Sequence, residues 1–378
     1  MRIALSSNTF DPGFTQGQMD GIGTYSQELF LALLQQGAKV KPAYFPSANS
    51  QATLPESYAL PWSYRLAVGL NLATPKRFAF NGTMDREFDL YHATDNRVPK
   101  LKKIRTLATL YDALLFTHPE WHGDAFSGIK KWLRRHTFNW ADHIVTISNT
   151  SRLELMTKVG IPENKITVIY AGIAPEWFIP ATAEEMHRVR EKYQLPPQFL
   201  LFTGTLQHKK NLPRLVAAHG ALPSDVYENF PLVVVGRAGY SAHAGAKESL
   251  AAIDKLTREK RGQWLQYVDA DDLRIVFQCA SLHVHPSLHE GFGLTLLQAF
   301  ATQTPVLTSC VAAMPEIAGG AAYLIDPYST YDMTEGLLAL LTKDSLRAEL
   351  VQQGQERVKD FSWEKCAQET LRLYTKLL

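Results

Sequence analysis

The sequence predicts an α/β fold in two domains, each a parallel sheet covered by helices on both faces. Three observations predict it. Short apolar runs alternate with helical patterns along most of the chain, as in strand–helix–strand units. These runs fall into two series separated by a proline-rich stretch. Finally, 378 residues with 46% hydrophobic and 20% charged content are enough for two full cores, at roughly 100–200 residues per domain.

The elements follow in order. Met1–Leu5 reads as a short buried strand, followed by a polar, glycine-rich loop and a helix over Tyr25–Leu34. Phe88–Ala93, Arg105–Tyr111 and His143–Ser148 read as further strands, with a helix at Ile129–Trp140. The second series comprises Gln198–Thr203, Pro231–Val235, Trp264–Val268, Leu282–His285, Val306–Thr308 and Ala322–Ile325. Between the series, Pro175, Pro180, Pro196 and Pro197 flank a charged helical segment, Ala183–Tyr193. Such proline density marks a linker, here near 175–195. Phe361–Leu378 reads as an amphipathic helix. Two such sheets facing each other would form a cleft, with ligands beyond the carboxyl ends of the strands.

Composition narrows the function. A formal net charge of +2 gives no basis for a general nucleic-acid binder. No apolar run approaches the ~18 residues of a membrane span. The start, MRIALSSNTF, turns polar at Ser6, so no secretory signal is expected and a cytoplasmic location is. Cys279, Cys310 and Cys366 are odd in number and far apart, which argues against a disulfide framework or a cysteine zinc site.

Three post-strand loops carry the chemistry. In HPSLHEGFGLTLLQAF (His285–Phe300) a strand ends at Pro286-Ser287, Glu290 follows, and Gly291, Phe292, Gly293 and Leu294 lead into a helix through Thr295. Unpaired amides at a helix start favour an anion such as phosphate, and Glu290 suits sugar hydroxyls. In FTGTLQHKKNL (Phe202–Leu212) a strand ends at Gly204, Thr205 follows, and Lys209 and Lys210 precede a helix begun by Asn211. Two ammonium groups there suit a diphosphate leaving group. GIGTYSQEL (Gly21–Leu29) contains Gly21 and Gly23, but Ser26 stands where a dinucleotide fingerprint needs its third glycine. Each loop also has a plainer reading, as turn geometry or a solvated lysine pair.

Together these segments resemble family 4 of the glycosyltransferases, with the GT-B architecture of two Rossmann-like domains. The resemblance covers nearly the full length. GIGTYSQEL resembles that family's N-terminal glycine loop. WADHIVTISNTSRLEL (Trp140–Leu155) and VIYAGI (Val168–Ile173) resemble its run into the linker. TLQHKKNL resembles its phosphate-binding loop, PSLHEGFG its donor-sugar loop, and FSWEKCAQETLRLY (Phe361–Tyr374) its closing helix. The resemblance implies an acceptor-binding domain at 1–178, a nucleotide-sugar-binding domain at 179–360, and a helix at 361–378 crossing back to the first.

It implies roles as well. Glu290 would bind donor-sugar hydroxyls, and the backbone of Gly291–Thr295 would hold the diphosphate or sugar. Lys210, aided by Lys209, would neutralise the diphosphate, with Gly204 and Thr205 beside it. Gly23 would line the cleft near the phosphates. The family retains anomeric configuration and works without metal, so no metal and no cofactor beyond the donor are expected.

Three departures stand out. Where the family usually has a second glutamate, this chain has Gln298, a weaker neutral partner for a ribose. Thr205 stands where many members have arginine. In TLYDALLF, Tyr111 precedes Asp112 where a histidine is usual; Asp112, His118 and His122 are the nearby substitutes. No carboxylate nucleophile stands out of the kind retaining hydrolases use. Front-face attack is therefore expected, with the leaving phosphate taking the acceptor's proton.

Two clusters are read as structural. Asp269-Ala270-Asp271-Asp272 precedes a helix, so capping explains it more simply than a metal. His283, His285 and His289 are clustered, but His283 and His285 lie on one strand face without a carboxylate partner at ligand spacing. Residues 97–135 carry net +6 while the remainder carries −4. The stripe Phe126, Ile129, Trp132, Leu133 and Trp140 is expected to pack inward. The charge asymmetry leaves open a peripheral contact with anionic lipid at the inner membrane face.

The expected activity is transfer of a hexose from a nucleotide diphosphate sugar to a glycan or lipid-linked acceptor in cell-surface polysaccharide synthesis. HKKN and PEIAG (Pro315–Gly319) lean towards mannose from GDP-mannose. The alternatives are a sugar-nucleotide epimerase of the same fold and a catalytically silent sugar-nucleotide or glycan binder, the latter motivated by Gln298 and Tyr111.

Overall fold

A computed structural model describes residues 1–16, 18–48, 50–73, 84–101, 103–122, 127–238 and 245–378. The chain divides into two compact units. The first comprises Met1–Thr117, Phe126–Gly172 and Ser362–Leu378; the second comprises His118–Ala125 and Ile173–Phe361.

The first unit holds a seven-stranded sheet: β1 (Arg2–Ser6), β2 (Lys39–Tyr44), β3 (Tyr58–Ala59), β4 (Leu90–Ala93), β5 (Arg105–Thr109), β6 (His143–Thr146) and β7 (Ile166–Val168). Their order is β3-β2-β1-β4-β5-β6-β7, with every pair parallel. Strands β2, β3 and β7 were absent from the expected series. Pro42 and two exposed lysines disguise β2, while β3 and β7 have two and three residues, too few for a period.

The second unit holds β8 (Leu200–Thr203), β9 (Leu232–Val235), β10 (Gly262–Leu265), β11 (Leu282–His285), β12 (Val306–Ser309) and β13 (Tyr323–Ile325). Their order is β10-β9-β8-β11-β12-β13, again all parallel. Strands β8, β9, β11 and β12 are buried at every residue; β8 and β9 therefore read as near-continuous apolar runs, whereas β11 and β12 bury His283, His285, Thr308 and Ser309 as well. Leu200, Phe202, Leu215, Val234, Leu307 and Leu337 are among the fully packed residues of this core.

Both orders reverse direction once, between β1 and β4 and between β8 and β11. In doubly wound sheets such a switch point opens a crevice at the carboxyl ends of the strands. The loops after β8 and β11 are those that carry Lys209–Lys210 and Glu290.

The helix Trp363–Leu377 belongs to the first unit and packs on the helix Gly21–Gln35. Ser362 accepts from the Lys365 amide at 3.1 Å and starts it. Trp363 meets Tyr25 edge-on at 5.6 Å, and the Tyr374 hydroxyl lies 2.7 Å from His92 Nδ1. A Cβ on Gly172 would fall 2.1 Å from the Trp363 nitrogen, so the returning chain needs glycine there. The expected division fell at 178/179; the structure divides at 172/173. Residues 173–181 sit on the second unit: Trp177 packs on Phe277 at 5.6 Å, and Gln278 takes the Ala181 amide at 2.7 Å.

Candidate active site

The loop after β8 is shaped to bring its lysines back over the sheet edge. Gly204 has φ +141, and a Cβ there would meet Lys210 Cε at 3.1 Å, so the lysine stem lies across the glycine. His208–Lys210 form a 3₁₀ turn, and Asn211 follows at φ +61. The Asn211 side-chain amide donates to the Pro286 carbonyl at 3.1 Å and the Pro327 carbonyl at 2.7 Å. The Leu288 amide donates to the Lys209 carbonyl at 2.7 Å. These bonds hold the β8 and β11 loops side by side.

Glu290 is the centre they create. Lys210 Nζ lies 2.6 Å from Glu290 Oε1 and Lys209 Nζ 3.4 Å from Oε2. Ser287 Oγ donates to Oε1 at 3.0 Å, and His285 Nε2 is 3.6 Å from the same oxygen. The Thr295 hydroxyl pairs with His285 Nδ1 at 3.1 Å. Burial pushes the Glu290 carboxyl up, but the two lysines outweigh it and hold it well below the usual range. Burial, helped by Lys209 and opposed by Glu290, lowers Lys210. Burial lowers His285 too, so it sits neutral beside the cations.

Gly293 caps the helix Leu294–Ala301 at φ +101, where a Cβ would clash with Met314 Cε at 2.7 Å. The amides of Gly293, Leu294 and Thr295 donate to no acceptor among the described residues. They form an open anion cradle next to a carboxylate and two ammonium groups. Gln298 lies one turn further on, half-buried, with its side chain unbonded among the described residues.

The second unit also carries a ring stack absent from the expectations. His118 stacks on Trp121 at 3.9 Å and 5° and meets His289 edge-on at 5.8 Å; Trp121 meets His208 at 5.2 Å. His208 precedes Lys209 and His289 precedes Glu290, so the stack touches both loops. An aromatic neighbour to each charged motif was the available signal. His118 Nδ1 also lies 3.1 Å from Glu120.

Gly23 and Asp112 belong to the first unit. A Cβ on Gly23 would come within 2.4 Å of the Thr9 carbonyl, which ties this glycine to close packing. Asp112 Oδ1 accepts from the Leu114 amide at 3.0 Å, closing a local turn. The Tyr111 hydroxyl donates to the Thr94 carbonyl at 2.5 Å, a core role. The His122 side chain lies outside the described residues.

The acidic cluster needs a correction. Asp269 makes no side-chain cap bond. Instead Lys192 lies 2.6 Å from both Asp269 and Asp272, and Arg188 lies 2.7 Å from Asp272. Burial raises Asp272, but Arg188, Lys192 and Tyr193 outweigh it and bring it to about 2. The cluster fastens the Ala183–Tyr193 helix. The histidine cluster also differs from expectation, since His285 does have a carboxylate neighbour in Glu290. Among the described residues no three His, Cys, Asp or Glu side chains group as a metal site. The apolar stripe does not pack inward throughout: Ile129 is 63% and Trp132 56% exposed, while Phe126 lies outside the described residues.

Comparisons with known proteins identify the family and the fold. The Glycosyltransferase Family 4 profile matches residues 19–177, and the Glycosyl transferases group 1 profile matches 184–357. O-antigen chain mannosyltransferase B of Escherichia coli is 31% identical over 309 residues, covering 81% of this chain and 79% of its own length. The chain belongs to glycosyltransferase family 4. The serotype-specific mannosyltransferase WbdA of Escherichia coli is 27% identical over 64% of this family 4 chain and 29% of its own length. Among solved structures, sucrose-phosphate synthase from Thermosynechococcus elongatus aligns with TM-score 0.76 at 21% identity, over 100% of this chain and 99% of that one. Anabaena HepE in complex with UDP aligns with TM-score 0.72 at 17% identity over 100% of both. The fold is GT-B, and the protein is a glycosyltransferase.

Proposed function

We propose that this glycosyltransferase moves a hexose, mannose from GDP-mannose, onto a glycan or lipid-linked acceptor in cell-surface polysaccharide synthesis, with retention and without a metal. The observation that carries the reading is the Lys209–Glu290–Lys210 cluster beside three open amides at the β8/β11 switch point. Mannose is supported by the names of the relatives, two of them mannosyltransferases. The diphosphate binds the amides of Gly293, Leu294 and Thr295 and the two lysines. Glu290, kept anionic, accepts from the sugar hydroxyls.

Breaking the sugar–phosphate bond puts positive charge on the anomeric carbon and negative charge on the departing diphosphate. Preorganised cations and amides stabilise that leaving group. Glu290 is a poor nucleophile here, since two ammonium groups hold its charge. The acceptor hydroxyl therefore attacks from the front face and passes its proton to the leaving phosphate. Of the substitutes near Tyr111, His118, which belongs to the second unit, fits an assisting role better than Asp112, which is occupied in its own turn. Ile129 and Trp132, exposed among Lys130 and Lys131, support peripheral contact with anionic lipid. No helix among the described residues is long and apolar enough to cross a membrane.

The test is incubation with GDP-mannose, UDP-glucose and ADP-glucose, with and without chelator, scored for transfer, slow hydrolysis and product anomer. Retentive turnover of GDP-mannose that survives chelation is the expected result. An epimerised donor overturns the reading. So does tight nucleotide binding without turnover, which would mark a silent binder.

A further inference from the structure

Beside the charged cluster, the second unit contains a cavity of about 340 Å³, near the lower end of ligand pockets, about 300–1,000 Å³. Its walls include His208 and Asn211 from the β8 loop, Arg214, Glu248, Leu288 from the β11 loop, and Tyr328 after β13. Three wall segments thus leave carboxyl ends of strands, where open α/β sheets hold ligands. Lys209, Lys210 and Glu290 are not among its walls, so it is separate from the donor cluster.

The chemistry of the walls selects a ligand class. Arg214 is anchored through Nη1 to Asn211 Oδ1 at 2.7 Å and the Pro327 carbonyl at 2.9 Å, which fixes the guanidinium and leaves its other N–H groups unbonded among the described residues. It lies 5.8 Å from the Tyr328 ring centre. Glu248 Oε2 lies 3.7 Å from His208 Nδ1. A fixed cation, an acidic group and an imidazole produce no field of one sign, so neither an anion nor a cation is favoured. A hydroxyl both donates and accepts and therefore suits Arg214 and Glu248 together. Tyr328 is 56% exposed; its ring offers a flat surface for the C–H face of a pyranose.

We infer that this cavity is a saccharide subsite, holding hexose units of the glycan chain apart from the sugar being transferred. Naming the growing glycan as the occupant rests on the transferase reading above; the cavity's preference for a neutral polyol does not. The test uses the full chain with α-linked mannotriose and maltotriose, followed by saturation-transfer NMR with and without GDP. At least one trisaccharide is expected to bind. Tyr328→Ala should weaken it about tenfold, and Glu248→Gln by a smaller factor, with GDP affinity and melting temperature unchanged. No binding of either sugar at about 10 mM, or equal binding by wild type and Tyr328→Ala, overturns the inference. Tyr328-dependent binding without GDP-mannose turnover would leave the subsite standing and remove the transferase reading. Transfer together with Tyr328-independent binding would do the reverse.

Discussion

The two switch points share one topology and differ in chemistry. At β1/β4 the chain satisfies itself with neutral groups and one buried carboxylate, Asp95, that has its own partner in Arg97 at 3.5 Å. The Thr94 amide donates to Ser6 Oγ at 2.8 Å, and the Thr94 carbonyl takes Ser26 at 3.3 Å and Tyr111 at 2.5 Å. At β8/β11 the same position gathers two lysines, a carboxylate and three undonated amides. Strand order provides the crevice in both units; the loop residues decide whether it is closed by its own bonds or left open to an anion.

Glu290→Ala should break the comparison most severely. Transfer should fall by at least about 10²–10³-fold, on the scale of losing one preorganised transition-state contact, while circular dichroism stays native. Wild-type turnover would remove Glu290 from the site. Lys210→Ala comes next: GDP affinity should drop about 10–100-fold, as for a lost charged hydrogen bond, with guanosine affinity nearly unchanged. Calorimetry with both ligands reads the difference, and equal losses would deny the lysine its phosphate role.

Acid acts on both units through their buried histidines. Burial holds His92 down at about 3 against an ordinary 6.5. Between those values the unfolded chain takes a proton that the native chain refuses, so stability falls as pH drops from 6.5, by up to about 1.4 kcal/mol per unit. Glu290 sits below its ordinary 4.5, so its contribution is complete above 4.5 and is lost only as pH falls through the depressed value. Burial likewise lowers His219 to about 4 and lowers His283 and His285 in the second unit, so melting curves from pH 7 to 4 should show both units weakening, and His92→Gln should flatten part of that decline. Tyr374→Phe removes the partner of His92 Nδ1 and should cost about 1–3 kcal/mol, read as a lower denaturant midpoint. The smallest change expected is Gln298→Glu: a carboxylate at the position the family resemblance assigns to the ribose should tighten GDP by a few-fold, checked by titration.

Much of this was legible in the residues. Strands β8 and β9 announce themselves because burial on both faces demands near-unbroken apolar runs. The glycines at 204 and 293 mark backbone that only glycine adopts comfortably, and charged motifs beside them single out the loops that matter. Strand β2 escaped because proline and surface lysines erase its period. Asp269 misled because capping is a local rule, whereas its real partner, Lys192, lies 77 residues away.

By itself the sequence determined the fold class, the family and which loops carry charge, since periodicity, turn chemistry and motif order are written along the chain. Tertiary structure alone decided that Lys209 and Lys210 close on Glu290, 81 and 80 residues downstream, and that His118 stacks with Trp121 against His289. It also decided that Tyr111 serves the core. Those outcomes depend on which strands become neighbours, and strand order is settled by the packing of the whole sheet rather than by any one segment.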